Sequence, residues 1–375
     1  MLKELITPAK SLPVVKKFSG DKDQLGSHLK NSAWNDSALP DLVILGITDD
    51  RFTSSSSFSD SPDAIREQLY QLNGFSAPFR IVDLGNIKSG KEFSDTVAAV
   101  RMVAEELHSL GIPILILGGN QSFTIPLLAG IDKNEAILSV VDDRIDNLSQ
   151  KDTTLDDVFL NNLSRETIVN VMAVQSFFVS PESKETFSEE FKGMLFTLGE
   201  IRNGIKEVEP YLRETDLVSF DFSSLKLCEA PGQVRNSPNG LTGEEACQLA
   251  WYAGISPNPG WFSLFGYSPE KDPERNGAMM AAQIAWYYLN GKSRKIDEIP
   301  QDEAIDFLHF VVPVEGIPDP VTFLKHPVSK RWWIEVPSPD CDLFPLRVPC
   351  SKKDYRQACK NEIPERWWSS FNKSY

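Results

Sequence analysis

Short apolar runs alternate with segments of helical periodicity between about residue 41 and residue 290, and this alternation constrains the fold more than any other feature. Strands that are apolar along their whole length are buried on both faces, as in a parallel sheet covered by helices. Six runs qualify, at 42–47, 113–117, 137–141, 168–174, 194–198 and 217–222. The pattern therefore predicts an α/β domain with a mostly parallel sheet and helices on both faces.

The segments between these runs carry helix start and stop signals. Ser61 and Pro62 offer a capping side chain and a proline at a helix start, and an apolar stripe over 97–107 ends before Gly111. Thr242, followed three residues later by glutamate, is typical of a capping box. Each predicted helix lies where a crossover between parallel strands is needed.

Composition divides the chain into three parts. A lead-in segment at 1–40 precedes the α/β domain at 41–291, and the remaining residues, 292–375, hold 10 of the 25 prolines and four of the eight tryptophans. We expect this last part to be an irregular arm, with strand-like stretches at 307–314 and 331–336. Its tryptophans would be buried either on the core of the same chain or on a partner protein.

Charge and length exclude several functions. A net charge of -15 repels nucleic acid, and we find no basic patch that would overcome it. The sequence has neither a secretory signal nor a run of 18 apolar residues, so we expect a cytoplasmic protein that does not insert into membranes. The five cysteines lack CxxC spacing, which favours reduced thiols over a disulfide framework or a zinc site.

Polar segments follow three of the predicted strands, at the sheet edge where open α/β proteins bind ligands. They are GGNQS at 118–122, DDRID at 142–146 and SFDFS at 219–223. In this order, and joined by PGQVRNSPNGLTGEEA at 231–246, they resemble the motifs GGDHS, DAHxD, SxDxD and PGTGTPxxGGLT of the ureohydrolase family, which includes arginase, agmatinase and formimidoylglutamase. The resemblance covers about residues 41 to 291 and is nearest to the formimidoylglutamase branch. It implies a three-layer arginase-like fold with a mostly parallel eight-stranded sheet.

The resemblance also implies a centre of two Mn²⁺ ions held by two histidines and four aspartates, whose bridging hydroxide attacks a guanidino or formimino carbon. This chain departs from that pattern. At the matched positions the two histidines become Gln121 and Arg144, and the last aspartate becomes Ser223. Asp142, Asp146 and Asp221 keep the family's residue.

The charges at these positions argue against the metal centre. Three clustered carboxylates repel one another, whereas a guanidinium, which cannot be deprotonated, relieves the repulsion with charge-assisted hydrogen bonds. We therefore expect Arg144 to occupy the place of the metals and to pair with these aspartates. Two alternatives stay open: a mononuclear Mg²⁺ or Ca²⁺ site of Asp142, Asp146 and Asp221, and a purely local role in which each aspartate caps the loop after its strand.

Other residues implied by the resemblance are also missing. Gly266 stands where the family has an acidic residue for the substrate's cationic nitrogen, and the stretch 146–168 lacks the histidine that would move a proton. Lys226 adds a cation where many relatives have an aspartate. Arg144 and Lys226 are therefore the candidate pair for binding a small anion.

Two functions remain. The first is a catalytically inactive protein of ureohydrolase fold, without a cofactor, that binds a small anionic ligand or a protein partner as a binding, scaffolding or regulatory component. The second is a manganese-dependent hydrolase of a linear amidine or guanidine C–N bond with a rearranged metal site. The resemblance further implies a homo-oligomer.

Overall fold

A computed structural model describes residues 2–31, 34, 38–51, 57–75, 79–133, 135–145, 163–164, 166–258, 260–296, 298, 306–337 and 345–374. No helix within these ranges is long and apolar enough to cross a membrane. Two sheets organise the described residues, a large one before residue 270 and a small one after residue 306.

The large sheet has nine strands. In chain order these are β1 (Ile6–Pro8), β2 (Leu42–Ile47), β3 (Ile81–Ile87), β4 (Ile114–Leu117), β5 (Ile137–Val141), β6 (Ile168–Val174), β7 (Leu195–Thr197), β8 (Leu217–Asp221) and β9 (Trp261–Phe265). Their order across the sheet is β1-β3-β2-β4-β9-β8-β5-β6-β7. Strands β2 to β9 are parallel, which confirms the expected eight-stranded parallel sheet, and β1 adds an antiparallel edge strand from the lead-in segment.

Eleven helices precede the small sheet in the described part of the chain, and most of them cover the large sheet. They are α1 (Leu2–Leu5), α2 (Pro13–Lys17), α3 (Leu25–Asn31), α4 (Ser61–Leu69), α5 (Phe93–Ser109), α6 (Thr124–Ala129), α7 (Pro181–Glu190), α8 (Leu198–Gly204), α9 (Glu209–Glu214), α10 (Gly243–Gly254) and α11 (Asn276–Ser293). The capping box of α10 forms as expected, with Thr242 and Glu245 each accepting the other's backbone N–H.

The sheet separates two apolar cores. Along β2, Leu42 and Ile44 face the core under α4, α10 and α11, whereas Val43 and Leu45 face the core under α5 and α6. Side chains alternate along a strand, so a run buried at every position supplies both cores at once. This three-layer arrangement is the fold class that the apolar runs predicted.

The residues after 306 form what we call the C-terminal module. Strands β10 (Leu308–Val312), β11 (Val321–Lys325), β12 (Trp332–Val336) and β13 (Leu346–Cys350) make an antiparallel sheet in that order, followed by α12 (Lys352–Ala358) and α13 (Glu365–Ser374). Both expected strand-like stretches are strands. The irregular arm expected from composition is thus more regular than its proline content indicated, because most of the prolines lie between the strands.

The C-terminal module packs on α9 through buried charges. Arg213 lies 4.5 Å from the centre of the Trp333 ring and donates a hydrogen bond to the carbonyl of Trp332, while its other nitrogens bind Glu209. Trp332, Trp333 and Trp367 are buried and Trp368 is 43% exposed. Three of the four tryptophans of this part are therefore covered within the chain itself.

Candidate functional site

Four neighbouring strands bring the candidate residues to one edge of the large sheet. Gln121 follows β4, Gly266 follows β9, Asp221 ends β8 and Asp142 follows β5, and these strands lie side by side. Parallel strands end at the same edge, so the loops after them meet there. The backbone N–H of Gly266 donates to the carbonyl of Gly119, which links two of the loops directly.

One nitrogen of Arg235 lies where three carboxylates converge. Its Nη2 is 2.8 Å from Asp142 Oδ1, 3.4 Å from Asp143 Oδ1 and 3.9 Å from Asp221 Oδ1. Asp142, Asp143 and Asp221 are buried, and the Arg235 side chain is 23% exposed. A permanent side-chain cation therefore holds the centre of this cluster.

Arg144 is not the residue at that centre, so this part of the expectation is wrong. Its Nε and Nη2 donate to the two oxygens of the adjacent Asp143, at 2.9 and 3.2 Å, and its guanidinium lies 4.4 Å from the centre of the Phe178 ring. Because Asp143 binds the guanidinium of Arg144 at the rim of the cluster, this guanidinium does not occupy the centre of the cluster. A guanidinium does lie among these aspartates, but it belongs to Arg235, from the loop between β8 and α10.

The two adjacent aspartates differ in their ionisation. Burial raises the pKa of Asp142 well above its ordinary value despite the opposing charge of Arg235, and the carboxylates of Asp221 and Asp143 raise it further. Burial also acts on Asp143, but hydrogen bonds from Arg144 and the charge of Arg235 outweigh it and lower the pKa of that carboxyl. Of the two carboxyl groups, Asp142 is therefore the one that binds a proton more readily.

Asp221 also caps its own loop. Its Oδ1 accepts the backbone N–H of Ser223 at 2.6 Å, and the Ser223 hydroxyl in turn accepts the backbone N–H of Arg235 at 3.5 Å. The local capping alternative thus applies to Asp221 in addition to its place in the cluster. Ser223 helps to position Arg235.

Two side chains of the GGNQS segment are buried with unpaired donors. Within the described residues, Gln121 Nε2 and Asn120 Nδ2 have no hydrogen-bond partner, although Asn120 Oδ1 accepts from the backbone N–H of Ser122. Gln121 is buried after β4, but an amide is a poor ligand for Mn²⁺ compared with the imidazole that the family has there.

Gly266 adopts a left-handed backbone conformation, with φ of 78°. A Cβ at this position would lie 3.2 and 3.3 Å from the two carboxylate oxygens of Asp221. Glycine is therefore required both by the backbone angle and by the close approach of Asp221. The backbone conformation and the position of Asp221 therefore both disfavour an acidic side chain at residue 266.

Lys226, the other expected cation, does not join this cluster. Lys226 Nζ is 3.9 Å from Glu229 Oε1, so its charge is already partnered. Asp146 and the stretch 146–162 lie outside the described residues. The mononuclear alternative is therefore described only at Asp142 and Asp221, both of which face Arg235.

Two residues of the cluster were missed by the sequence reasoning. Asp143 is an extra acid where the family's DAHxD motif has alanine, and Arg235 is a basic residue in the 231–246 segment that otherwise matches the family. An acidic and a basic residue that both depart from the family's motifs indicate that their side chains form an ion pair.

An open parallel sheet with helices on both faces and charged loops at its carboxyl edge defines a three-layer α/β protein of the kind that binds ligands at this edge. The model of the arginase family matches residues 40–290, and the chain therefore belongs to the arginase family. A comparison with curated protein sequences finds no match.

Solved structures of the same fold are similar along most of their length. The formimidoylglutamase of Bacillus subtilis has a TM-score of 0.65 and 21% identity, covering 74% of this chain and 95% of its own. The formiminoglutamase of Trypanosoma cruzi with Mn²⁺ has a TM-score of 0.64 and 19% identity, covering 74% and 100%. The agmatine ureohydrolase of Thermoplasma volcanium has a TM-score of 0.57 and 20% identity, covering 68% and 90%.

The described residues at this edge of the sheet do not fit a dimanganese centre. The guanidinium of Arg235 binds the carboxylate oxygens that would face the metals, and Gln121 and Ser223 offer only neutral groups. Within the described ranges, no three histidine, cysteine, aspartate or glutamate side chains are arranged to hold a metal ion.

Proposed function

We propose that this protein is a catalytically inactive member of the arginase family that acts as a binding, scaffolding or regulatory component. The observation that carries the proposal is the position of Arg235 Nη2 within 4 Å of three carboxylates. An arginine side chain cannot activate a water molecule as a metal ion does, because it remains protonated and has no vacant coordination position. Gly266 also offers no carboxylate at the position where the resemblance implies an acidic residue for a cationic substrate.

The alternative is a manganese-dependent hydrolase of a linear amidine or guanidine C–N bond with a rearranged site. It is favoured by membership of the arginase family and by the Mn²⁺ in the similar formiminoglutamase structure of Trypanosoma cruzi. The alternative requires Arg235 to leave the cluster so that the carboxylates become free.

Metal analysis and an activity assay separate the two functions. We expect wild-type protein dialysed after exposure to Mn²⁺ to retain less than one equivalent, and to release neither urea nor formamide nor ammonia from arginine, agmatine or formimidoylglutamate. Retention of about two equivalents of Mn²⁺ together with turnover of one of these compounds would show that the hydrolase alternative is correct.

The ligand class that the proposal favours is a small anion, such as a carboxylate. Within the described residues Nη1 of Arg144 makes no hydrogen bond, its other nitrogens are fixed by Asp143, and the side chain is 28% exposed. A guanidinium oriented in this way presents a donor edge to a carboxylate. Lys226 is the weaker member of the expected pair because Glu229 partners it.

A thermal-shift screen tests this ligand class. We expect carboxylates to raise the melting temperature of the wild type, with a smaller effect on Arg144→Gln, and arginine amide or agmatine to have none. Stabilisation by agmatine without any effect of carboxylates would contradict the ligand class. The proposal further includes a cytoplasmic location and a homo-oligomeric state. Sedimentation analysis of the purified protein would test the oligomeric state.

A further inference from the structure

A groove of about 630 Å³ lies between the lead-in segment and α4. The described residues that line it do not include those around Arg235. One wall is formed by α2 and the loop up to Gln24, and the other by the outer face of α4. Gln24 Nε2 donates to the carbonyl of Gln71, and the backbone N–H of Leu25 donates to the carbonyl of Leu72 at 2.7 Å. The lead-in segment is therefore fixed beside the helix, with a space of ligand size between them.

The helix presents a row of carboxylates to this groove. Asp60, Asp63 and Glu67 line it from α4, and Asp21 lines it from the lead-in segment. Residues three and four positions apart lie on the same face of a helix, so the row follows the helix axis. Of these four acids, the described residues give an ion-pair partner only to Asp63, whose Oδ1 is 3.2 Å from Arg66 Nη1. The other three carboxylates can still bind a cation.

Two aromatic rings and two cations complete the charged part of the lining. Lys17 and Arg275 line the groove with the four acids, so the negative charges exceed the positive ones by two. Arg275 Nη1 already donates to the carbonyl of Pro269 at 3.1 Å. The Phe18 ring packs edge-to-face on Tyr70, with 5.7 Å between the ring centres, and both residues line the groove. An aromatic ring beside carboxylates favours a ligand that carries a positive charge on an apolar stem.

The length of the row indicates an extended ligand. From Asp60 to Gln71 the helix advances by about 16 Å, and from Asp63 to Glu67 by about 6 Å. In an extended peptide every second side chain lies on the same side, at a spacing of about 6.6–6.8 Å. About five residues of extended peptide therefore span the groove, and alternate side chains would lie beside successive carboxylates.

We propose that this groove is the docking site for an extended basic segment of a partner protein that has lysine or arginine at alternate positions. The carboxylates of α4 bind the cationic groups, and Phe18 packs on the stem of one of these side chains. The argument is charge complementarity between the row on α4 and such a segment. The groove and the cluster around Arg235 have separate linings, so the proposal holds whether or not that cluster is catalytic.

The test measures fluorescence anisotropy of a labelled pentapeptide, lysine-glycine-lysine-glycine-lysine, with full-length protein. We expect saturable binding by the wild type and affinity about tenfold or more weaker in Glu67→Lys, because this places a like charge in the row. Phe18→Ala changes no charge and should weaken binding about threefold. The matched control is Glu182→Lys, which makes the same charge change on an exposed residue of α7, whose Phe187 packs on the opposite side of the large sheet from Ala64 of α4. This variant should weaken binding by less than about twofold.

Absence of binding by the wild type would overturn the proposal. Equal weakening in Glu67→Lys and Glu182→Lys would overturn it too, since only the net charge of the protein would then matter. Displacement of the peptide by an equal concentration of spermidine would show that the groove recognises amines without a peptide backbone, and would also contradict the proposal. Glu67 and Glu182 are both exposed, so the two charge-reversed variants should keep the melting temperature of the wild type to within a few degrees.

Discussion

Asp142 and Asp143 are adjacent in the chain, yet the structure gives their carboxyl groups opposite tendencies. Asp142 is buried among other carboxylates, and Asp143 is held between two arginines. The difference arises from what surrounds each side chain, because both residues have the same ordinary pKa of 3.8. A matched pair of amide substitutions can therefore separate the two environments.

We expect Asp142→Asn to change the free energy of unfolding by less than about 1 kcal/mol, because burial favours the neutral form of the Asp142 carboxyl, which the amide resembles. Asp143→Asn should cost about 3 kcal/mol or more, since it leaves two guanidiniums without their ionised partner. Urea unfolding of both variants measures the difference. A larger loss of stability in Asp142→Asn than in Asp143→Asn would contradict the opposite pKa shifts of the two carboxyl groups.

The same pair has a defined pH dependence. The native pKa of Asp142 lies above its unfolded value, so the native state binds more protons and the contribution of this group to stability falls as pH rises between the two values. We expect Asp142→Asn to gain stability relative to the wild type as pH rises through that window. If the unfolding free energies of the two proteins change by the same amount across this pH window, Asp142 does not titrate as described.

The strand-end motifs allowed part of the candidate site to be predicted from the sequence. The strand-end motifs indicated which loops meet and that a guanidinium would pair with the aspartates there. They could not indicate which arginine enters. Arg144 is adjacent to Asp143 and is bound by it, and Arg235 reaches the cluster from a distant loop, an outcome that depends on three-dimensional distances.

At the scale of elements, α9 connects the large sheet's domain to the C-terminal module. Glu209 and Arg213 form a buried pair on this helix, and Arg213 also binds the carbonyl of Trp332. Arg331, which precedes β12, contacts Glu209 Oε1 at 3.4 Å and Glu298 Oε2 at 3.0 Å. Burial acts to raise the pKa of Glu209, but the nearby arginines outweigh it and lower that pKa.

We expect Arg213→Ala to cost about 3–5 kcal/mol of unfolding free energy, because it leaves the buried Glu209 without one of its partners and removes the packing on Trp333. The matched control is Arg101→Ala, which breaks an exposed pair with Glu105 at the same spacing on α5 and should cost no more than about 0.5 kcal/mol. Chemical denaturation measures both. Equal losses would mean that burial does not set the strength of these pairs.

Strands could be predicted from the sequence where both faces of the strand are buried. The apolar runs at β2, β5 and β6 match the observed strands at both ends, since a strand covered on both sides must be apolar throughout. The edge strand β1, with only three residues, has no such pattern, because its formation depends on pairing with β3. The regular sheet of the C-terminal module was likewise hidden by the prolines between its strands.

At the scale of the whole molecule, the two sheets share buried charges across their contact. Arg366 on α13 binds Glu214 at the end of α9 and lies 4.0 Å from the centre of the Tyr211 ring. Together with the Arg331–Glu209 pair and the contacts of Arg213 with Trp332 and Trp333, this means that separating the module would break buried ion pairs and uncover the aromatic rings packed there.

We therefore expect the chain to unfold in one cooperative transition, with calorimetric and van't Hoff enthalpies that agree. The physical reason is that the Arg331–Glu209 and Arg366–Glu214 pairs between the two parts are lost when either part unfolds. Differential scanning calorimetry of the wild type measures this, and Arg213→Ala should broaden or split the transition. Two separate transitions in the wild type would show that the module folds independently.

The left-handed turn at Gly266 makes the loss of the acidic residue difficult to reverse. A single Gly266→Glu replacement would strain the backbone and force its first side-chain atom against Asp221, before its carboxylate could reach any substrate. An acidic side chain at this position would therefore require a different path of the main chain after β9 as well as the substitution itself.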